Sequence, residues 1–248
     1  MKRTAFNLPI LLVCVPVPLS AQAADGANQA PTDIAITRDV HDDLYRFLRS
    51  ASDEEAELDA IVRAMQGQFA AMPALASVEV DNPGFIEALT TSVRPMLKDH
   101  ALRITKLAGP DIIALLRDGL TEKEARDALG FYESDIGQRV IAVTNQTLNY
   151  DRALGAAIQD KTITAENMER NLMDAGERGY SQLSATEQAR ANEAASTNSG
   201  MMKFLDLVPK IAALRARFEN EPMLPAHEAR MQAAMRSVFE QYGLAFAH

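Results

Sequence analysis

His227-Glu228-Ala229-Arg230-Met231 opens like the His-Glu-x-x-His of a zinc protease, where two histidines one helical turn apart hold the metal and the glutamate activates water. Met231 stands where the second ligand must be, so that chemistry lacks its site. The four histidines, His41, His100, His227 and His248, are scattered, and no Glu-x-x-His of the di-iron bundle type occurs. His41-Asp42-Asp43 is the densest cluster of ligand types, but acidic residues at a helix start are ordinary partners of the helix dipole, and Asp53-Glu54-Glu55 reads the same way. Met201-Met202 and Met231 with Met235 offer thioethers, which at helical spacing are ordinary core side chains rather than copper ligands. No metal and no cofactor is expected.

Nucleophilic chemistry finds no better footing. Gly-x-Ser-x-Gly, Ser-x-x-Lys and the Gly-x-x-x-x-Gly-Lys-Ser/Thr loop are all absent. The single cysteine, Cys14, falls in a segment expected to be removed. His100 lies on an apolar stripe and reads as a hydrogen-bonded core histidine rather than a proton-transfer group. The chain leans away from being an enzyme.

The compartment is read from the first 23 residues. Lys2 and Arg3 precede an apolar run from Phe6 to Leu19, and Ala21-Gln22-Ala23 supplies small residues at the positions signal peptidase accepts. A run of about 14 residues is short of the ~20 that a spanning helix needs. The expectation is an exported, periplasmic protein cleaved after Ala23, with no membrane span in the mature chain. Loss of Lys2 and Arg3 would take the formal charge from −9 to −11, which argues against nucleic acid or an anionic lipid surface as partner. Trp is absent and only 12 Gly are present, so aromatic binding clefts and turn-rich β folds both lose weight.

The elements that must position any site are helical throughout. Residues 24–32 read as a flexible leader, and 33–248 as one helical domain. Val40, Leu44, Phe47 and Leu48 share a helical face, as do Leu58, Val62, Met65, Phe69 and Met72. A third helix is expected from Asn82-Pro83-Gly84, kinked at Pro95 and ended by Gly109-Pro110, with a short helix over 111–117. Thr121 and Glu124 form a capping box for a helix to about Tyr132, and Ser134 caps the next. In that helix Ile136, Val140, Val143, Thr147, Tyr150, Leu154 and Ala157 alternate at +4 and +3, a seam that wants a partner along its length. Thr164 and Ser184 start two more helices, Pro209 interrupts the stripe of Leu207, Ile211, Leu214 and Phe218, and a last helix carries Met231, Met235, Val238 and Tyr242. No stretch alternates at period two, so the predicted class is an all-α bundle of short antiparallel helices without a sheet. Leu120-Thr121-x-x-Glu124 with Gly137 recurs 63 positions later as Leu183-Ser184-x-x-Glu187 with Gly200, an internal echo.

The block from Leu120 to Arg139, with its Thr-Glu-x-Glu start and then Phe131-Tyr132-Glu133-Ser134-Asp135-Ile136-Gly137-Gln138-Arg139, resembles the bacterial exported family known as domain of unknown function 2059. Asp135 stands where that family often has proline, and both suit the first turn of a helix. The family-like segment covers about 111–163. The resemblance implies a periplasmic helical protein and brings no catalytic residue or substrate. Physically, Phe131 and Tyr132 end one helix, Ser134 caps the next, and Gly137 lets the two approach at the corner. The functional reading of the same block makes Tyr132, Gln138 and Arg139 a docking surface.

The leading expectation is a non-enzymatic protein that binds an envelope protein or associates with itself, for which the seam of Ile136, Val140, Val143, Tyr150 and Leu154 is the candidate surface, although burial of that seam within the protein's own bundle is the favoured reading. The alternative is a small-ligand carrier, or an enzyme, whose cleft is assembled from distant residues among which Tyr132, Arg139, Tyr150 and His100 are candidates. An exposed apolar groove would favour the first; a deep pocket with convergent polar groups would favour the second.

Overall fold

The computed structural model describes residues 39–51, 53–158 and 162–246; the export segment 1–23 and the leader 24–32 lie outside them. Regular structure among the described residues is α-helical, with no strand. Helix α1 (Val40–Ser50) starts where Asp39 accepts the amide of His41, and α2 (Glu54–Ala71) where Asp53 accepts that of Ala56. Each cap satisfies an amide that the first turn leaves without a partner. Helix α3 (Pro73–Asp81) begins on Pro73, whose fixed φ and missing N–H suit a first turn.

Helix α4 (Phe85–Gly119) departs most from expectation. It runs for 35 residues through both Pro95 and Pro110, where a kinked helix, a stop and a separate short helix were predicted. Gly84, at φ 90°, turns the chain into it, and the Glu79 carboxylate accepts from the amides of Gly84 and Ile86 at 2.7 Å each. Burial along its length overrides the two prolines: Phe85, Leu89, Val93, Met96, Ile104, Ile112 and Leu116 all face the interior. At Gly109 a Cβ would lie 2.8 Å from the Tyr45 hydroxyl, so α1 approaches α4 where Gly-Pro read as a break.

Helix α5 (Glu122–Glu133) carries the Thr121 and Glu124 capping box, and Ser134 caps α6 (Asp135–Gln146) by accepting the amide of Gly137. The predicted continuous seam is broken here. The Thr147 hydroxyl donates across to the Ala175 carbonyl at 2.7 Å, and Asn149 accepts the amide of Asp151 to start α7 (Asp151–Ile158). Local side-chain bonds of this kind compete with helix continuation. Ile136, Val140 and Val143 are buried within the protein's own core, so that part of the seam presents no partner surface.

Helices α8 (Ala165–Ser181) and α9 (Ala185–Thr197) start at Thr164 and Ser184, the latter with a complete capping box to Glu187. A short α10 (Ser199–Asp206), capped by Asn198, precedes α11 (Val208–Glu219), in which Pro209 lies in the first turn rather than interrupting a stripe. Helix α12 (Pro225–Gln241) packs on the start of α4, where Phe85 meets Phe239 and Tyr242 edge to face. The main core joins α1, the C-terminal half of α4, α5, α6, α9, α10 and α11. No described helix is long and apolar enough to cross a membrane.

Candidate functional site

A cavity of about 190 Å³ lies among α2, α4, α7, α8 and α11. Its wall is mainly hydrocarbon, from Ile61, Leu97, Ala101, Ala153, Leu154, Ile163 and Met168. Into it converge Glu57 of α2, His100 of α4, Tyr150 just before α7, and Arg215 and Glu219 of α11.

Glu57 is the centre of the polar end. It is 4% exposed, and its Oε1 accepts from the Tyr150 hydroxyl at 2.6 Å, with the Arg215 guanidinium at 4.0 Å. Its Oε2 is buried and has no hydrogen-bond partner. Burial pushes the Glu57 carboxyl above its ordinary value, against the opposing pull of Arg215 and the Tyr150 hydrogen bond. Arg215 is bound to Glu219 at 2.8 Å, one helical turn on. Burial works against its charge, but Glu219 and Glu57 together hold it firmly protonated. On the α4 wall, His100 is half-buried, its Nδ1 has no partner, and burial pushes its imidazole below the ordinary value, so it is neutral at pH 7.

Local structure explains why these groups meet. Ile211, Arg215 and Glu219 follow at four-residue spacing on one face of α11, whose first member is wholly buried, so the two charged side chains are carried inward with it. Asn220 ties the segment before α8 in place, donating to the Ile163 carbonyl at 2.8 Å and accepting the Ile163 amide at 3.0 Å. Those bonds set Ile163 against the cavity.

Of the residues singled out from sequence, Tyr150 and His100 both line this cavity, whereas Tyr132 and Arg139 lie elsewhere. Tyr132 is 0% exposed, stacked edge to face with Phe131 and Phe204, and so presents nothing to a partner. Gln138 and Arg139 are exposed; Gln138 donates to the Glu133 carbonyl and Arg139 pairs with Glu187 at 3.3 Å. Gln138 also edges an open groove with Phe47, Ile141 and Asn145. The corner glycine is tightly enclosed: a Cβ on Gly137 would sit 2.0 Å from the Phe131 carbonyl oxygen. Sequence reasoning missed Glu57, Arg215 and Glu219, although Arg215 falls four residues after Ile211 in an apolar stripe.

His41, read among a ligand-like cluster, instead bridges Asp39 and the Leu120 carbonyl, each at 2.9 Å. No group of three His, Cys, Asp or Glu side chains among the described residues is arranged to hold a metal ion.

Fold and site together define an all-helical protein with a mostly apolar cavity that is polar at one end. Residues 108–164 match the model of a family described as "Uncharacterized protein conserved in bacteria", domain of unknown function 2059. The match runs from late α4 through α7 and brings Tyr150, Ala153, Leu154 and Ile163 of the cavity with it, while Glu57, His100, Arg215 and Glu219 lie outside it. No curated protein and no solved structure gives a significant match to the chain.

Proposed function

We propose that this is an exported helical protein that holds a small, mostly apolar ligand in the cavity between α2, α4, α7, α8 and α11. The observation that carries the reading is the Glu57 carboxylate: fully enclosed, satisfied on one oxygen and empty on the other, at the end of a hydrocarbon-lined space. A buried acceptor without a partner costs about 1–3 kcal/mol and more when charged, an expense that a bound donor would remove. An engineered cavity of ~150 Å³ is large enough to take up benzene, so a space of this order admits a ring-sized molecule. The export half of the proposal rests on Lys2, Arg3, the apolar run and Ala21-Gln22-Ala23.

Partner binding, the leading expectation from sequence, has less support. The buried part of the seam is spent within the protein, and of the exposed large apolar side chains Met72 and Val80 belong to the start and end of α3, while Leu107, Met173 and Leu224 come from three other parts of the chain. The test is a thermal-shift survey of small apolar and amphipathic molecules on the protein and on Ala101→Leu, which narrows the cavity. A ligand at 100 times its dissociation constant adds ~2.7 kcal/mol of stability. Shifts seen with the unaltered protein and lost in Ala101→Leu support the reading; shifts equal in both, or none, contradict it.

A further inference from the structure

We propose that the molecule held in this cavity is a small primary amine, with its ammonium group seated on Oε2 of Glu57 and a single-ring or branched hydrocarbon body among Ile61, Leu97, Leu154, Ile163 and Met168. The inference rests on the cavity being a ligand site and adds the chemical class. A bound cation would favour the ionised form of Glu57, whose oxygens only accept hydrogen bonds; Oε2 is buried with no partner, so a donor is the group that complements it. His100 Nδ1 is a second buried atom without a partner on the same cavity, and an uncharged imidazole protonated on Nε2 accepts there. An ammonium carries three N–H donors; an alcohol carries one.

Anionic ligands fit poorly. Among the described lining residues the cation is Arg215, which is engaged by Glu219 at 2.8 Å and faces Glu57 at 4.0 Å, so a bound carboxylate would meet two carboxylates already in place. Quaternary ammonium ions are also disfavoured. They have no N–H for Glu57, and their usual seat is a cage of aromatic faces, whereas Tyr150 is the one aromatic residue among those lining this cavity. The hydrocarbon walls and a volume of about 190 Å³ set the size of the body at about one ring with a short arm.

The experiment is calorimetric titration of the protein with four probes sharing one body: phenethylamine, 2-phenylethanol, 3-phenylpropanoate and trimethyl(phenethyl)ammonium. The titrations are repeated on Glu57→Gln and on Ala101→Leu. Phenethylamine is expected to bind at least tenfold more tightly than the other three, with that preference lost in Glu57→Gln and all binding lost in Ala101→Leu. Equal or tighter binding of the alcohol, the carboxylate or the quaternary ion, abolished by Ala101→Leu, overturns the amine assignment and leaves the cavity as a ligand site. An amine preference that survives Glu57→Gln overturns the seat on Glu57. No binding by any probe overturns both. The four-probe comparison on the unaltered protein decides the class even if Glu57→Gln fails to fold.

Discussion

The Tyr150 hydroxyl donates to the buried carboxylate of Glu57 at 2.6 Å, joining the residue before α7 to the first turns of α2 across 93 positions of sequence. That bond fixes one oxygen of the carboxylate and leaves the other buried without a hydrogen-bond partner. Hydrogen bonds to charged groups contribute about 1.5–3 kcal/mol, and Tyr150→Phe is expected to lower unfolding free energy within that range. A double-mutant cycle with Glu57→Leu, which removes the acceptor, checks it by urea denaturation. A coupling of ~0.5 kcal/mol or more is expected for groups in direct contact, and near-zero coupling would show that the two do not interact.

Tyr132→Phe should have the opposite sign. The Tyr132 hydroxyl is buried without a hydrogen-bond partner, and its burial raises its pKa far above the ordinary phenol value. Removing an unsatisfied buried polar atom while keeping the ring should stabilise the protein by about 1 kcal/mol, read as a higher denaturation midpoint with unchanged slope. A lower midpoint would mean that the hydroxyl has a partner in solution.

Three glycines should separate cleanly on substitution by alanine. A Cβ at Gly137 would lie 2.0 Å from the Phe131 carbonyl oxygen, and one at Gly200 would lie 2.1 Å from that of Glu124, so backbone must move in both. Each is expected to lose at least ~2 kcal/mol, as overpacked cores do. Gly130, exposed in α5 with nothing within 4 Å of its Cβ position, should instead gain ~0.5–1 kcal/mol from helix propensity. Thermal melts of the three variants provide the comparison.

The pH dependence of stability should carry two opposite contributions. The Lys203 ammonium, together with the Thr121 amide, holds the Glu124 carboxyl down to about 2, below the 4.5 of an unperturbed glutamate. Its folded-state value is depressed, so its contribution is present above 4.5 and is lost as pH falls through about 2. Lys203→Met should therefore flatten the acid limb of the stability curve. Glu57 is raised, so its contribution is full below 4.5 and is lost as pH rises through its folded-state value. Glu57→Gln should remove that decline above 4.5, measured as urea midpoints at successive pH values.

What was legible in the sequence was what local chemistry decides. Caps at Thr121, Ser134, Thr164 and Ser184 all form, because a hydroxyl and an amide three residues apart need no tertiary help. The internal echo also has a structural counterpart: Arg139 of α6 reaches Glu187 of the α9 capping box, and Lys203 of α10 reaches Glu124 of the α5 capping box at 2.6 Å. Continuity through Pro95 was legible in the stripe from Leu89 to Leu107, but continuity through Pro110 was not, because packing along α4 decides it. The short α3 and α10 span too few turns to show a period. Tyr150 and His100 could be named from sequence as dispersed candidates, but Glu57 was hidden in an acidic helix start that reads as solvated. The signal for Glu57 was its position beside Leu58 and four residues before Ile61, on the inner face of α2.

The most direct measurement is a crystal structure of the protein soaked with phenethylamine. The account predicts density for the ring between Ile61, Leu97, Leu154 and Met168, with the nitrogen within hydrogen-bonding distance of Oε2 of Glu57. An empty cavity at saturating amine, or the amine bound only on the outer surface, would contradict it.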